Sequence, residues 1–122
     1  ATDGAAAAEP APHLLVVDDI ADNRTLLTRR FERQGFRVTE ADGGLAALRL
    51  IEEQTFDLVL LDIMMPDIEG TVVLSEIRSK RSSSTLPVIM VTARAMSDDV
   101  VKSLQLGADD YITKPVDFPI AL

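Results

Sequence analysis

Two short stretches decide the fold: His13-Leu14-Leu15-Val16-Val17-Asp18-Asp19 and Asp57-Leu58-Val59-Leu60-Leu61-Asp62. Each is a continuous apolar run closed by acid. A run without polar alternation suits a strand covered on both faces, as in a parallel sheet. Two later runs also end in polar groups, Val88-Ile89-Met90-Val91-Thr92 and Tyr111-Ile112-Thr113-Lys114-Pro115. Open parallel sheets bind ligands just outside the carboxyl ends of their strands. Four such strands would bring Asp18, Asp19, Asp62, Thr92 and Lys114 to one patch. Three carboxylates, a hydroxyl and an ammonium in one crevice suggest a divalent metal and a phosphoryl group.

Between the runs lie segments of helical period. Asp22–Gln34 carries Leu26, Leu27 and Phe31, and Gly35 ends it. Phe36–Ala41 alternates and reads as a strand. Asp42-Gly43-Gly44 is a turn, with Asp42 as the expected helix cap. Leu45–Gln54 has its stripe at Leu45, Leu48 and Ile51. A loop at Met64-Met65-Pro66-Asp67 leads to a helix over Thr71–Lys80 with Val73, Leu74 and Ile77. A further helix is predicted from the Ser97-Asp98-Asp99 cap to Leu106, stopped by Gly107, and a fifth strand over Asp110–Thr113. Strands alternating with helices imply right-handed crossovers and a doubly wound parallel sheet. A closing helix is expected after Lys114-Pro115, yet only a short run to Leu122 follows. The chain thus reads as a truncated domain with its last helix largely missing.

The 122 residues fit one domain. A formal net charge of −8 argues against gripping nucleic acid or an anionic membrane. The absence of cysteine removes disulfide and thiolate chemistry. No apolar stretch approaches the roughly 20 residues that span a bilayer. Residues 1–12, rich in Ala and Pro, lack the basic and apolar regions of a secretory signal and read as a leader or linker; residues 13–122 form the domain. His13, at a strand start, reads as structural. Glu52-Glu53 reads as a solvated helix face, and Asp109 and Asp110 as turn residues. Met64, Met65, Met90 and Met96 show no metal-binding pattern.

Val17-Asp18-Asp19, Leu61-Asp62-Ile63-Met64-Met65-Pro66-Asp67-Ile68-Glu69-Gly70, Val91-Thr92-Ala93, Gly107-Ala108-Asp109-Asp110-Tyr111 and Lys114-Pro115 occur in order at strand ends. In this the chain resembles the receiver domains of bacterial two-component response regulators. The resemblance covers roughly Leu14 to Phe118. It implies a flavodoxin-like (CheY-like) α/β fold with five parallel strands in the order 2-1-3-4-5. It also implies that Asp62 accepts a phosphoryl group from a sensor histidine kinase or histidine phosphotransfer protein. A carboxylate nucleophile would form an acyl phosphate there. Mg²⁺ or Mn²⁺ held by Asp18, Asp19, Asp62 and the Met64 backbone carbonyl would offset the repulsion between carboxylate and phosphoryl group. Lys114 would supply a positive point charge and Thr92 a hydroxyl, while the small Ala93 leaves room for the phosphoryl group. The Lys114–Pro115 bond is expected to be cis, as in the family.

The resemblance further implies a switch. Thr92 moves toward the phosphoryl group, Tyr111 turns inward, and the face of the fourth helix and fifth strand changes for an output domain, fused or separate. A homodimer is compatible with it, as is a cytoplasmic location. Met64 and Arg94 occupy the positions that tune phosphoryl lifetime; Met64 cannot orient an attacking water, so slow self-dephosphorylation is expected. No enzymatic turnover of an external substrate is implied. A phosphorylation-independent pseudo-receiver remains as the alternative. A Mg-dependent phosphohydrolase would want a second acid where Met64 stands. A flavin binder needs a hydroxyl-rich loop where Asp18-Asp19-Ile20-Ala21 would repel phosphate.

Overall fold

Four consecutive residues of the first strand, Leu14 to Val17, are almost fully buried. Their side chains alternate between two apolar layers, which is why the sequence run has no polar member. The computed structural model describes residues 11–81, 85–92, 105 and 107–113. In chain order it runs β1 (His13–Val17), α1 (Ala21–Arg33), β2 (Arg37–Ala41), α2 (Gly44–Glu53), β3 (Leu58–Asp62), α3 (Gly70–Lys80), β4 (Val88–Thr92) and β5 (Asp110–Thr113). The strands form one parallel sheet in the order β2-β1-β3-β4-β5, as expected. The expected closing helix and the Lys114–Pro115 bond lie outside the described residues. So does most of the helix predicted over Ser97–Leu106, of which Gln105 is described as helical.

One face of the sheet packs Leu15, Val17, Val59, Leu61, Val88 and Met90 against Ala47 and Ile51 of α2 and Val73, Leu74 and Ile77 of α3. The other packs Val16, Leu60 and Val91 against Leu27, with Phe31 alongside. Fully burying each such side chain contributes roughly 1.5–3 kcal/mol. The α3 stripe falls as its spacing predicts. The other two stripes are rotated. Leu26 and Leu45 are exposed, and Thr28 and Ala47 take core-facing positions instead. In both helices the sheet selects the i, i+4 pair that spares a polar or charged face; leucine spacing alone does not show which leucine is left outside.

Gly35 ends α1 in the left-handed region, at φ 96°. Gly35 N–H donates to Glu32 O and Phe36 N–H to Phe31 O, at 3.0 and 3.1 Å. The Phe31 and Phe36 rings meet edge to face at 5.8 Å. This is a Schellman termination with its apolar contact.

Asp42 is not the cap of α2. Gly43 is the N-cap residue, and Asp67, from the loop after β3, takes the first N–H groups. Nor is Asp109 only a turn residue: its Oδ2 pairs with Arg78 Nη2 at 3.0 Å and accepts Val88 N–H at 2.8 Å. His13 is structural. Its ring contacts Thr39 Oγ1 and Thr55 O and packs 4.5 Å from the Phe56 ring. Glu52 is exposed and pairs with Lys80 at 3.0 Å.

Candidate functional site

β1 and β3 are neighbours, and their register pairs Val17 with Leu61. One step further along both strands sets Asp18 beside Asp62. Asp19 follows where the chain turns toward α1. Carboxylate oxygens of Asp18, Asp19 and Asp62 lie within 4.8 Å of one another. Asp18 is 1% exposed and Asp62 4%. At an effective dielectric constant near 20, two negative charges at that separation repel by about 3 kcal/mol. A cation placed among the three acids would offset that repulsion. Clustered oxygen donors of this kind match a hard divalent cation such as Mg²⁺.

The local backbone holds the acids in place. Asp18 N–H donates to Ala41 O at 3.1 Å, and Asp18 Oδ1 accepts Ile20 N–H at 2.9 Å. Asp62 Oδ1 accepts Met64 N–H at 3.3 Å, while Ile63 N–H reaches Val91 O at 3.2 Å. The loop therefore leaves β3 tied to both Asp62 and β4. Met64 is 72% exposed, whereas Met65 is buried in the core. A concave surface of about 410 Å³ follows this loop, lined by Ile63, Met64, Met65, Pro66 and Glu69.

The backbone of Thr92 ends β4 and pairs with Thr113, and Tyr111 pairs with Met90. The other two predicted residues, Lys114 and Arg94, lie outside the described residues. Of the predicted set, then, the structure brings the three acids together with the Met64 loop beside them, and it places the Thr92 backbone at the same ends of the strands.

Sequence reading missed two residues around the site. Arg24 Nη1 donates to Asp18 O at 2.7 Å and Nε to Glu40 Oε1 at 2.9 Å, fastening the β1–α1 turn to β2. Asp67 Oδ1 accepts Gly44 N–H at 3.2 Å and Ile68 N–H at 2.8 Å; Oδ2 accepts Leu45 N–H at 3.0 Å. These bonds, that from Leu45 foremost, hold the Asp67 carboxyl below its ordinary pKa of 3.8. Arg24 stands in the first turn of α1, six residues after Asp18, a place from which it can reach back to the strand end. Nothing local to Asp67 announces a cap 22 residues away.

The profile of the response regulator receiver domain family matches residues 14–120. The sensor protein GacS of Pseudomonas syringae pv. syringae is 39% identical over 109 residues, covering 87% of this chain and 12% of its own length. The transcriptional regulatory protein AfsQ1 of Streptomyces coelicolor is 45% identical over 105 residues, covering 86% of this chain and 45% of its own. The chain thus spans less than half the length of these relatives. The crystal structure of the response regulator protein TrrA from Thermotoga maritima, in complex with Mg²⁺ and BeF, superposes with a TM-score of 0.79. Identity is 34%, covering 90% of this chain and 92% of that one. Sheet order, strand-end acids and these similarities agree: the chain belongs to the receiver domains of response regulators of two-component systems.

Proposed function

We propose that this receiver domain accepts a phosphoryl group on Asp62 in a reaction that needs Mg²⁺ or Mn²⁺. The observation that carries the reading is the convergence of Asp18, Asp19 and Asp62 within 4.8 Å. Asp18, Asp19, Asp62 and the Met64 carbonyl would hold the metal, which when bound neutralises charge between the attacking carboxylate and the phosphoryl group. A carboxylate oxygen of Asp62 attacks phosphorus. The new O–P bond forms as the donor's bond to phosphorus breaks, and that electron pair leaves on the donor's nitrogen or oxygen. Lys114 and Thr92 would bind phosphoryl oxygens. That the related TrrA protein forms a complex with Mg²⁺ and BeF supports a metal-dependent reading of this domain.

Donors of the right chemistry are a sensor histidine kinase or a histidine phosphotransfer protein, which would set the domain in the cytoplasm. The domain acts on a fused or separate output through the Thr92–Tyr111 pair and the face around β5, and it turns over no external substrate. Residues 1–12 serve as a linker to residues 13–122. Met64 carries no group to orient water and Arg94 follows Thr92 by two residues, so the acyl phosphate is long-lived. The test is intact mass after incubation with acetyl phosphate and Mg²⁺. A gain of one phosphoryl mass in the wild type, abolished by EDTA and by Asp62→Asn, is expected. No gain in the wild type would favour a pseudo-receiver instead.

A further inference from the structure

We propose that Asp67 is a positioning residue for metal binding: clamped on the N-terminus of α2, its carboxylate fixes the loop that carries the Met64 carbonyl. This rests on the function proposed above.

The loop runs from Ile63 to Glu69; beyond the bonds that Ile63 and Met64 N–H make at its start, it has two polar anchors. The first is at its far end, where Gly70 N–H donates to Ile63 O at 2.7 Å. Gly70 lies so close to β3 that a Cβ there would meet the Asp62 carbonyl oxygen and sit 2.8 Å from Ile63 Cα. The second anchor is Asp67. Met64, Pro66, Asp67 and Glu69 are all exposed, so side-chain packing does not hold them. Met65 and Ile68 do pack against the core, which sets the depth of the loop. Its lateral position against α2 comes from the Asp67 bonds to Gly44 and Leu45 N–H, together with the Ile68 side chain lying over Gly44.

The seat is shaped for this carboxylate. A Cβ on Gly43 would lie 2.7 Å from Asp67 Oδ2 and 3.0 Å from Cγ. The helix N-terminus favours the negative charge as well. A plain cap would serve only α2. This one joins α2 to the segment beginning directly after Asp62, so it also limits where the Met64 carbonyl can point. Groups that orient metal ligands typically change affinity about 10- to 100-fold when removed.

The experiment titrates the folded chain with Mg²⁺ alone, by calorimetry, for wild type, Asp67→Ala, Asp67→Asn and Gly43→Ala. Hydrogen exchange of the Gly44 and Leu45 amides is read in parallel. Asp67→Ala is expected to weaken Mg²⁺ binding about 10-fold and to speed exchange at both amides. Asp67→Asn, which keeps one accepting oxygen, should fall between. Gly43→Ala, which displaces the carboxylate without removing it, should match Asp67→Ala. Saturating Mg²⁺ should restore phosphorylation by acetyl phosphate in each variant. If exchange speeds and melting temperature falls while Mg²⁺ affinity stays within twofold of wild type, Asp67 is a helix cap and the inference is overturned. If the wild type neither binds Mg²⁺ nor gains a phosphoryl group, the proposed function fails and takes this inference with it.

Discussion

Replacing Arg78 by methionine keeps most of the alkyl packing and removes the guanidinium, which bolts three segments together. Nε donates to Gly107 O at 2.8 Å, Nη1 to Leu86 O at 2.7 Å, and Nη2 to Asp109 Oδ2 at 3.0 Å. Arg78 is 13% exposed and Asp109 34%. Hydrogen bonds from a charged donor contribute roughly 1.5–3 kcal/mol each. The Asp109 share is discounted to about 1 kcal/mol, because that carboxylate is screened and regains water. Leu86 is buried, so its carbonyl loses a partner that water does not readily replace, at about 1–2 kcal/mol. Gly107, half-buried, adds less. The expected loss is about 3 kcal/mol, or about 12 °C in Tm for a chain of this size. Urea unfolding measures it, with an unchanged m-value as the sign that folding stays two-state. A double-mutant cycle with Asp109→Asn, which keeps an acceptor for Val88 N–H, should return a coupling of about 1 kcal/mol. An Arg78→Met loss below about 1 kcal/mol, or a coupling equal to the whole loss, would refute the assignment of the bulk of the effect to the two carbonyls.

The remaining expectations use the same unfolding assay. Gly70→Ala drives a Cβ into the Asp62–Ile63 backbone and should cost about 3 kcal/mol. Gly35→Ala meets nothing within 4 Å and bears only its positive φ, so about 1 kcal/mol is expected; equal losses at the two sites would sink the steric account. The Asp67 carboxyl is depressed below 3.8 in the folded chain. Its contribution is therefore present above that ordinary value and lost as pH falls through the lower folded one. The stability gap between wild type and Asp67→Ala should be flat above about pH 5 and close below about pH 4. A gap that widens on acidification would contradict the sign.

The sheet and its acids were legible because they are written locally. Four apolar runs closed by polar residues give both the strands and the end at which ligands gather. Gly35 was legible as a helix stop for the same reason, and both Gly35 and Gly107 have positive φ. Three contacts were not legible, because each joins segments far apart in the chain: Asp67 to α2, Arg78 to the Gly107 turn, and Arg24 to Glu40. An acid in a loop and an arginine late in a helix have ordinary local explanations, a turn residue and a dipole partner. Only the packing of α2 against α3, and of α3's C-terminal end against β4, chooses otherwise. Leu26 and Leu45 illustrate the same limit for the core, since a stripe's period is local and its rotation is set by the sheet.

The polar ends of the strands also answer what fixes the register. In a sheet with one wet face, a one-residue slip exposes the apolar set, and that penalty holds the pairing. Here β1 and β3 are buried on both sides, so a slip would exchange one apolar face for another at little cost along the run itself. The ends supply the penalty. At the start of the strands, Asp57 N–H donates to His13 O at 2.7 Å and Asp57 Oδ2 accepts His13 N–H at 2.7 Å. At the finish, Asp62 N-terminal to the Met64 loop and Asp18 at the α1 turn must each emerge from the sheet together. Sliding β3 by one residue in either direction would draw Asp57 or Asp62 into an apolar layer away from its partners, at a cost of several kcal/mol for an uncompensated charge. The residues proposed to bind metal thus also help to hold the alignment that brings them together, so that fold register and site geometry are specified by the same side chains.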